Sequence, residues 1–145
     1  MPNELPPVFR HTFRVPKDAI DENDHVNNVA YVQWMQDVAT LHSDAVGLTR
    51  AAYEENGTAW VVRTHHVDYL SPAFEGEEIE AVTWISNLKK VTSLRKYKFF
   101  RKSDQTLLAR AETNWVYINL ETTKPQALDK LVIKAFTPVA ETDEP

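Results

Sequence analysis

Over residues 8–15 apolar and polar positions alternate: Phe9, Phe13 and Val15 share one side with His11 between them, and Arg10, Thr12 and Arg14 take the other. A period of two predicts a half-buried strand, and Pro16 stops it. Residues 17–27 are a polar loop. From Asn28 to Val46 the pattern turns helical, and Gly47 is placed to close the helix. Val29, Val32, Met35, Ala39 and Val46 are apolar, but so are Tyr31, Trp34, Val38 and Leu41. Apolar side chains on most sides predict a helix enclosed by other structure rather than laid on a surface.

Four further strands are predicted over 59–70, 77–86, 93–102 and 106–119, all rich in Val, Ile, Thr, Trp, Tyr and Phe. Their separators hold Pro72, Gly76, Asn87 and Ser103-Asp104. The last strand alternates most cleanly. Ala109, Ala111, Thr113, Trp115 and Tyr117 share one face, where small residues let a helix approach closely; Arg110, Glu112 and Asn114 share the other. After Lys124-Pro125, the spacing of Leu128, Leu131, Val132 and Phe136 predicts a short amphipathic helix. The ends, 1–7 with three prolines and an acidic stretch over 138–145, are expected to be a loose arm and a loose tail of one domain spanning 1–145. Strand, helix, then four strands is an α+β order. One helix covers only one side of a sheet, so a homodimer or homotetramer joined through a continuous sheet is expected.

Composition narrows the function classes. At 145 residues the chain is long enough to bury a core, and 43% apolar with 26% charged residues is ordinary for a globular protein. No apolar run approaches the ~20 residues of a membrane-spanning helix, and Met1 to Pro7 has no signal-peptide pattern. There is no cysteine, which removes thiol nucleophiles, disulfides and thiolate metal sites and fits a reducing cytoplasm. A net charge of −5 argues against nucleic-acid binding. It also means that an anionic partner needs a local basic patch. One exists: Lys89, Lys90, Arg95, Lys96, Lys98, Arg101 and Lys102 lie in a stretch from Leu88 to Ser103 that contains no acid. Lys89, Lys90 and Arg95 flank a predicted turn and are the phosphate-binding candidates; otherwise the patch is a solvated strand face.

The chemistry concentrates in Asp21-Glu22-Asn23-Asp24-His25-Val26-Asn27-Asn28, just before the predicted helix. Carboxylates, an imidazole and carboxamides there stand beside unpaired helix N–H groups that can polarise a carbonyl. Asn27 or Asn28 is the expected helix cap. No metal site is expected: His65 and His66 are adjacent on a strand and point to opposite sides, and no His-x-x-x-His spacing occurs. No Gly-x-Ser-x-Gly elbow or phosphate-cradling glycine loop is present.

Asp-x-Asn-x-His-Val-Asn-Asn followed by Tyr31 and Trp34 resembles the hot-dog-fold thioesterases, both the 4-hydroxybenzoyl-CoA type and the acyl-ACP type. His66-Val67-Asp68-Tyr69-Leu70-Ser71-Pro72-Ala73 with Gly76 and Ile79, and Thr113-Asn114-Trp115-Val116, extend the resemblance over roughly 8–128. It implies a hot-dog fold, a curved antiparallel sheet wrapped around a long helix, and hydrolysis of an acyl-CoA, or alternatively an acyl-ACP, without a cofactor. It implies Asp21 as nucleophile or general base, with His25 and Asn23 holding the carbonyl or water and the backbone N–H near Asn28 or Val29 as oxyanion donor. The acyl chain is then expected between subunits, against Tyr31, Trp34, Trp60 and Tyr69. Two departures stand out. Asp24 replaces a glycine of the 4-hydroxybenzoyl-CoA type, and Pro72 stands where the plant acyl-ACP enzymes carry a further acid. The same fold without turnover, as an acyl-CoA-binding module, is the non-enzymatic alternative.

Overall fold

The computed structural model describes residues 5–145. The first four residues of the expected arm lie outside the described residues, and Leu5 to Pro7 are exposed. Strand β1 (Phe9–Arg14) leads through a short 3₁₀ turn to helix α1 (Asn28–Ala45), helix α2 (Arg50–Asn56) and strands β2 (Thr58–Tyr69), β3 (Glu78–Leu88), β4 (Thr92–Arg101) and β5 (Leu107–Asn119), and ends with helix α3 (Lys130–Ala135). The five strands form one antiparallel sheet in the order β1-β3-β4-β5-β2. One long helix against a five-stranded antiparallel sheet is the hot-dog α+β architecture.

Helix α1 buries Tyr31, Trp34, Met35, Val38, Ala39 and His42. Their spacing of three and four residues makes one stripe. Val29 is 73% and Leu41 37% exposed. The helix is therefore not enclosed on most sides as its all-round apolar pattern suggests; within one chain it buries a single face. The sheet meets that face with Ile79 and Ala81 of β3, Tyr97 and Phe99 of β4, and Ala109 and Ala111 of β5. The alanines let the helix come close, and Phe99 fills the space beside Tyr31 and Trp34. Burying Met35, Ile79 and Phe99 completely contributes about 1.5–3 kcal/mol each.

The other face of the sheet is partly covered by the chain's own C-terminus. Val139 packs with Val82 and Trp84, and its N–H donates to the Ile85 carbonyl at 2.9 Å. Glu144 then pairs with Lys96 at 2.7 Å, and Lys98 Nζ donates to the Pro145 carbonyl. The stretch expected to be a loose tail is thus seated on β3 and β4. Apolar burial of Val139 and the pairing of Glu144 with the outward-facing Lys96 account for it. Burial on both sides explains why Ala81 through Ile85 are buried without a break. The two edges are β1 and β2, and β2 presents a 12-residue strand with no neighbour on its outer side among the described residues.

Candidate active site

The polar run folds into a tight loop held by its own backbone. The Asp21 N–H donates to the His25 carbonyl at 3.0 Å and Asp24 N–H to the Asp21 carbonyl at 3.1 Å. Two further bonds fix the loop to its surroundings: Val26 N–H to Ala73 O at 2.9 Å and Asn27 N–H to Ala19 O at 2.8 Å. Asp24 takes φ 65°, the left-handed region that glycine adopts at least cost. Asp24 thus holds a backbone conformation that suits glycine, at the position where the 4-hydroxybenzoyl-CoA resemblance implies one. Asp24 itself is exposed.

Asp21 is half-buried, and its Oδ1 accepts the Asn23 N–H at 2.9 Å. That bond fixes the carboxylate rotamer, and Oδ2 has no partner among the described residues. Asn23 contributes its backbone; its side chain is exposed. His25 is half-buried, with Nδ1 3.5 Å from the Val26 carbonyl, too long to orient the ring strongly.

Asn27 is the helix cap: its Oδ1 accepts the Val29 N–H at 2.8 Å. This spends one of the two amides expected as oxyanion donors. The Asn28 N–H remains, with no acceptor among the described residues, at the positive end of an 18-residue helix. Tyr69 fixes the same turn from β2 by donating to the Asn28 carbonyl at 3.0 Å. Tyr69 is 44% exposed. Tyr31 and Trp34 are core residues within one chain: they are 3% and 9% exposed, packed edge-on to each other and against Phe99 and Phe13. Burial raises the Tyr31 hydroxyl to about 12, so it stays protonated.

Open space lies at the other end of α1. A cavity of about 360 Å³ is walled by Leu48, Trp60, Ile85, Leu88, Trp115 and Phe136, among others, with Arg95 among its polar residues. The Ala39 wall is about 16 Å along the helix from Asn28 at 1.5 Å per residue. The Tyr31, Trp34 and Val38 packing fills the distance between them. Trp60 stands on the cavity wall, with Nε1 donating to Tyr53 Oη at 3.0 Å. The sequence reading missed the cavity and helix α2, which supplies Arg50, Tyr53 and Glu54 to its rim.

The basic patch is smaller than it reads. Lys96 and Lys98 are held by the C-terminus. Arg101 pairs with Glu77 at 2.7 Å and Asp104 at 3.0 Å. Arg95 is not a surface cation: it is 4% exposed, points inward, and donates from Nη1 to His42 Nδ1 at 2.9 Å and Thr83 Oγ1 at 3.1 Å. Its place in strand alternation with Tyr97 and Phe99 puts it on the inner face. Lys89 and Lys90 stay exposed in the β3–β4 turn, next to the cavity residues Leu88 and Ser93. His65 accepts or donates at Thr113 Oγ1, 2.8 Å away, and burial lowers its pKa. His66 faces out beside Asp68 at 3.1 Å. Among the described residues no three His, Cys, Asp or Glu groups are placed to hold a metal.

A model of the acyl-ACP thioesterase N-terminal domain family matches residues 6–136. The acyl-CoA thioester hydrolase YbgC of Shigella flexneri is 28% identical over 129 residues, spanning 89% of this chain and 96% of that protein. Among solved structures, Slr0204, a 1,4-dihydroxy-2-naphthoyl-CoA thioesterase from Synechocystis, superposes with a TM-score of 0.83 at 20% identity, over 95% of this chain and 99% of that one. Protein SAV2348 from Staphylococcus aureus, solved in complex with CoA, superposes with a TM-score of 0.81 at 21% identity, over 91% and 87%. At these identities the superpositions speak for the fold.

Proposed function

The chain belongs to the acyl-ACP thioesterase family and is a thioester hydrolase, and within that family we propose that it hydrolyses acyl-CoA with Asp21 as the catalytic carboxylate. The observation that carries this is the pairing of a carboxylate fixed by the Asn23 N–H with the unspent Asn28 N–H at the start of α1. In this reading the thioester oxygen sits on the Asn28 N–H, where negative charge that develops during attack is stabilised. Asp21 Oδ2 adds to the carbonyl carbon, and the C–S bond breaks to release CoA thiolate, leaving a mixed anhydride that water cleaves. If Asp21 acts as base instead, it takes a proton from water as the water attacks, and no anhydride forms. His25 serves to hold the water or carbonyl in either path. CoA rather than a carrier protein is favoured by the acyl-CoA activity of the YbgC relative.

A second copy completes the site in this account. Within one chain, the Tyr69 end of β2 touches the start of α1, whereas the Thr58–Trp60 end borders the cavity. Antiparallel pairing of two β2 edges about a two-fold axis sets the Tyr69 end of one beside the Trp60 end of the other. Asp21 of one copy then faces the cavity of the next. The acyl chain enters between subunits, and Lys89 and Lys90 at the rim take CoA phosphates.

The test is release of free thiol from short, long and aromatic acyl-CoAs by wild type and by Asp21→Asn. The expected result is turnover of at least one ester and a loss on the order of 100-fold in the variant. Near-equal rates would leave the class standing and remove Asp21 from the chemistry. Acyl-CoA that raises the melting temperature without any turnover would replace hydrolysis by binding alone.

A further inference from the structure

Arg95 is a buried cation at the cavity, and no acid among the described residues matches it. Its hydrogen bonds go to His42 and Thr83, and its Cζ lies 5.7 Å from the centre of the Phe136 ring. All three are neutral: burial and the guanidinium itself push His42 down to about 3, so its Nδ1 is an acceptor. Among the described residues no carboxylate forms an ion pair with Arg95. Two acids do line the cavity, but both Asp44 and Glu54 are exposed, and Glu54 is taken by Arg50 at 2.9 Å. The contrast with Arg101 is direct, since that side chain has two acids within 3.0 Å. Buried charges in proteins are paired or hydrogen-bonded to compensate their lost hydration. A guanidinium with spare N–H groups at an otherwise largely apolar cavity is incompletely compensated until an anion arrives. The fork geometry suits a carboxylate held by two parallel bonds, and about 360 Å³ is within the range of small-molecule pockets.

We propose that the cavity takes the far end of an acyl group that itself ends in a carboxylate, with Arg95 as counter-ion, so that the preferred substrates are mono-thioesters of dicarboxylic acids. This deepens the hydrolase reading above and rests on it for turnover, but not for binding. His42 and Thr83 position the guanidinium from behind, and the apolar walls hold the methylene chain. The CoA phosphates are excluded from this role by place, because Arg95 faces the interior whereas Lys89 and Lys90 face solvent.

Two experiments test it. The first compares kcat/KM for suberyl-CoA and octanoyl-CoA, which share a chain length and differ at the far end. Wild type is expected to prefer the carboxylate by on the order of tenfold or more, the value of a hydrogen bond to a charged group, and Arg95→Met is expected to abolish or reverse that preference. The second needs no turnover: octanoate is expected to raise the wild-type melting temperature more than octanamide at equal concentration. Equal rates for the two esters, together with equal shifts for acid and amide, overturn the proposal. If no ester is hydrolysed yet octanoate still stabilises more than octanamide, the anion site stands and the hydrolase reading falls. If octanoyl-CoA is hydrolysed best and octanoate does not stabilise, the reverse holds. The wild-type comparisons remain decisive even if Arg95→Met does not fold.

Discussion

Acidification destabilises this fold at His42. The imidazole lies on the buried stripe of α1, stacked on Phe9 and edge-on to Phe136, with Nδ1 2.9 Å from Arg95 Nη1. A proton there loses hydration and also meets a guanidinium head-on. The folded pKa is accordingly down at about 3 against 6.5 for the free side chain, with burial the larger cause and Arg95 the second. The sign follows. Between those values the unfolded chain binds a proton that the folded chain refuses, so this contribution is complete above 6.5 and is lost as pH falls toward 3. Each unit below the unfolded pKa costs ~1.4 kcal/mol, which makes a drop from about pH 7 to about pH 5 cost ~2 kcal/mol. Urea unfolding of wild type and His42→Asn at both pH values checks this. The asparagine oxygen can still accept from Arg95 but does not titrate, so the variant is expected to lose ~2 kcal/mol less than wild type over that interval. Other groups, His65 included, are common to both proteins and cancel in the difference. Equal losses in the two proteins would refute the argument that His42 is held neutral by its burial against Arg95.

Other expectations are simpler. Asn27→Ala removes the cap on Val29 N–H and is expected to cost about 1 kcal/mol by urea unfolding, whereas Asn27→Asp, which keeps the acceptor and adds charge at the helix start, should recover most of it. Removing residues 138–145 uncovers Val82 and Trp84 and takes away Val139, for an expected loss of about 2 kcal/mol; an unchanged melting temperature would mean that the seated C-terminus contributes nothing. Met35→Ala leaves a void under the middle of α1, and a loss of about 2–5 kcal/mol is expected from the same unfolding experiment.

Much of this architecture could be read from side-chain periodicity. The strands and α1 fall within one or two residues of the expected bounds, because a period of two or of 3.6 survives in any sequence with one buried face. Helix α2 was missed since seven residues make too few turns to show a period. Its only marks are Thr49, whose Oγ1 accepts the Ala52 N–H at 3.1 Å, and Gly57 at φ 76°. The loop around Asp21 was legible because its polar residues are consecutive. The cavity was not, because its walls come from both early helices, four strands and the C-terminal segment. Arg95 was misplaced by counting it with neighbouring lysines; its alternation with Tyr97 and Phe99 carried the correct signal. The docking of the C-terminus was equally visible in parts, an acidic end and a basic strand, but nothing local joins Glu144 to Lys96.

The two-copy site is tested most directly by complementation. Asp21→Asn is mixed with a second variant closed at the cavity, Leu88→Trp, after each is confirmed to be folded and inactive alone; the mixture is unfolded, refolded together and assayed for thiol release. Random pairing makes half of the dimers mixed, each with one intact Asp21 facing one intact cavity, so activity should return to about a quarter of wild type. Mixed dimers that form and stay inactive would contradict the account and place Asp21 and the cavity that serves it in the same chain.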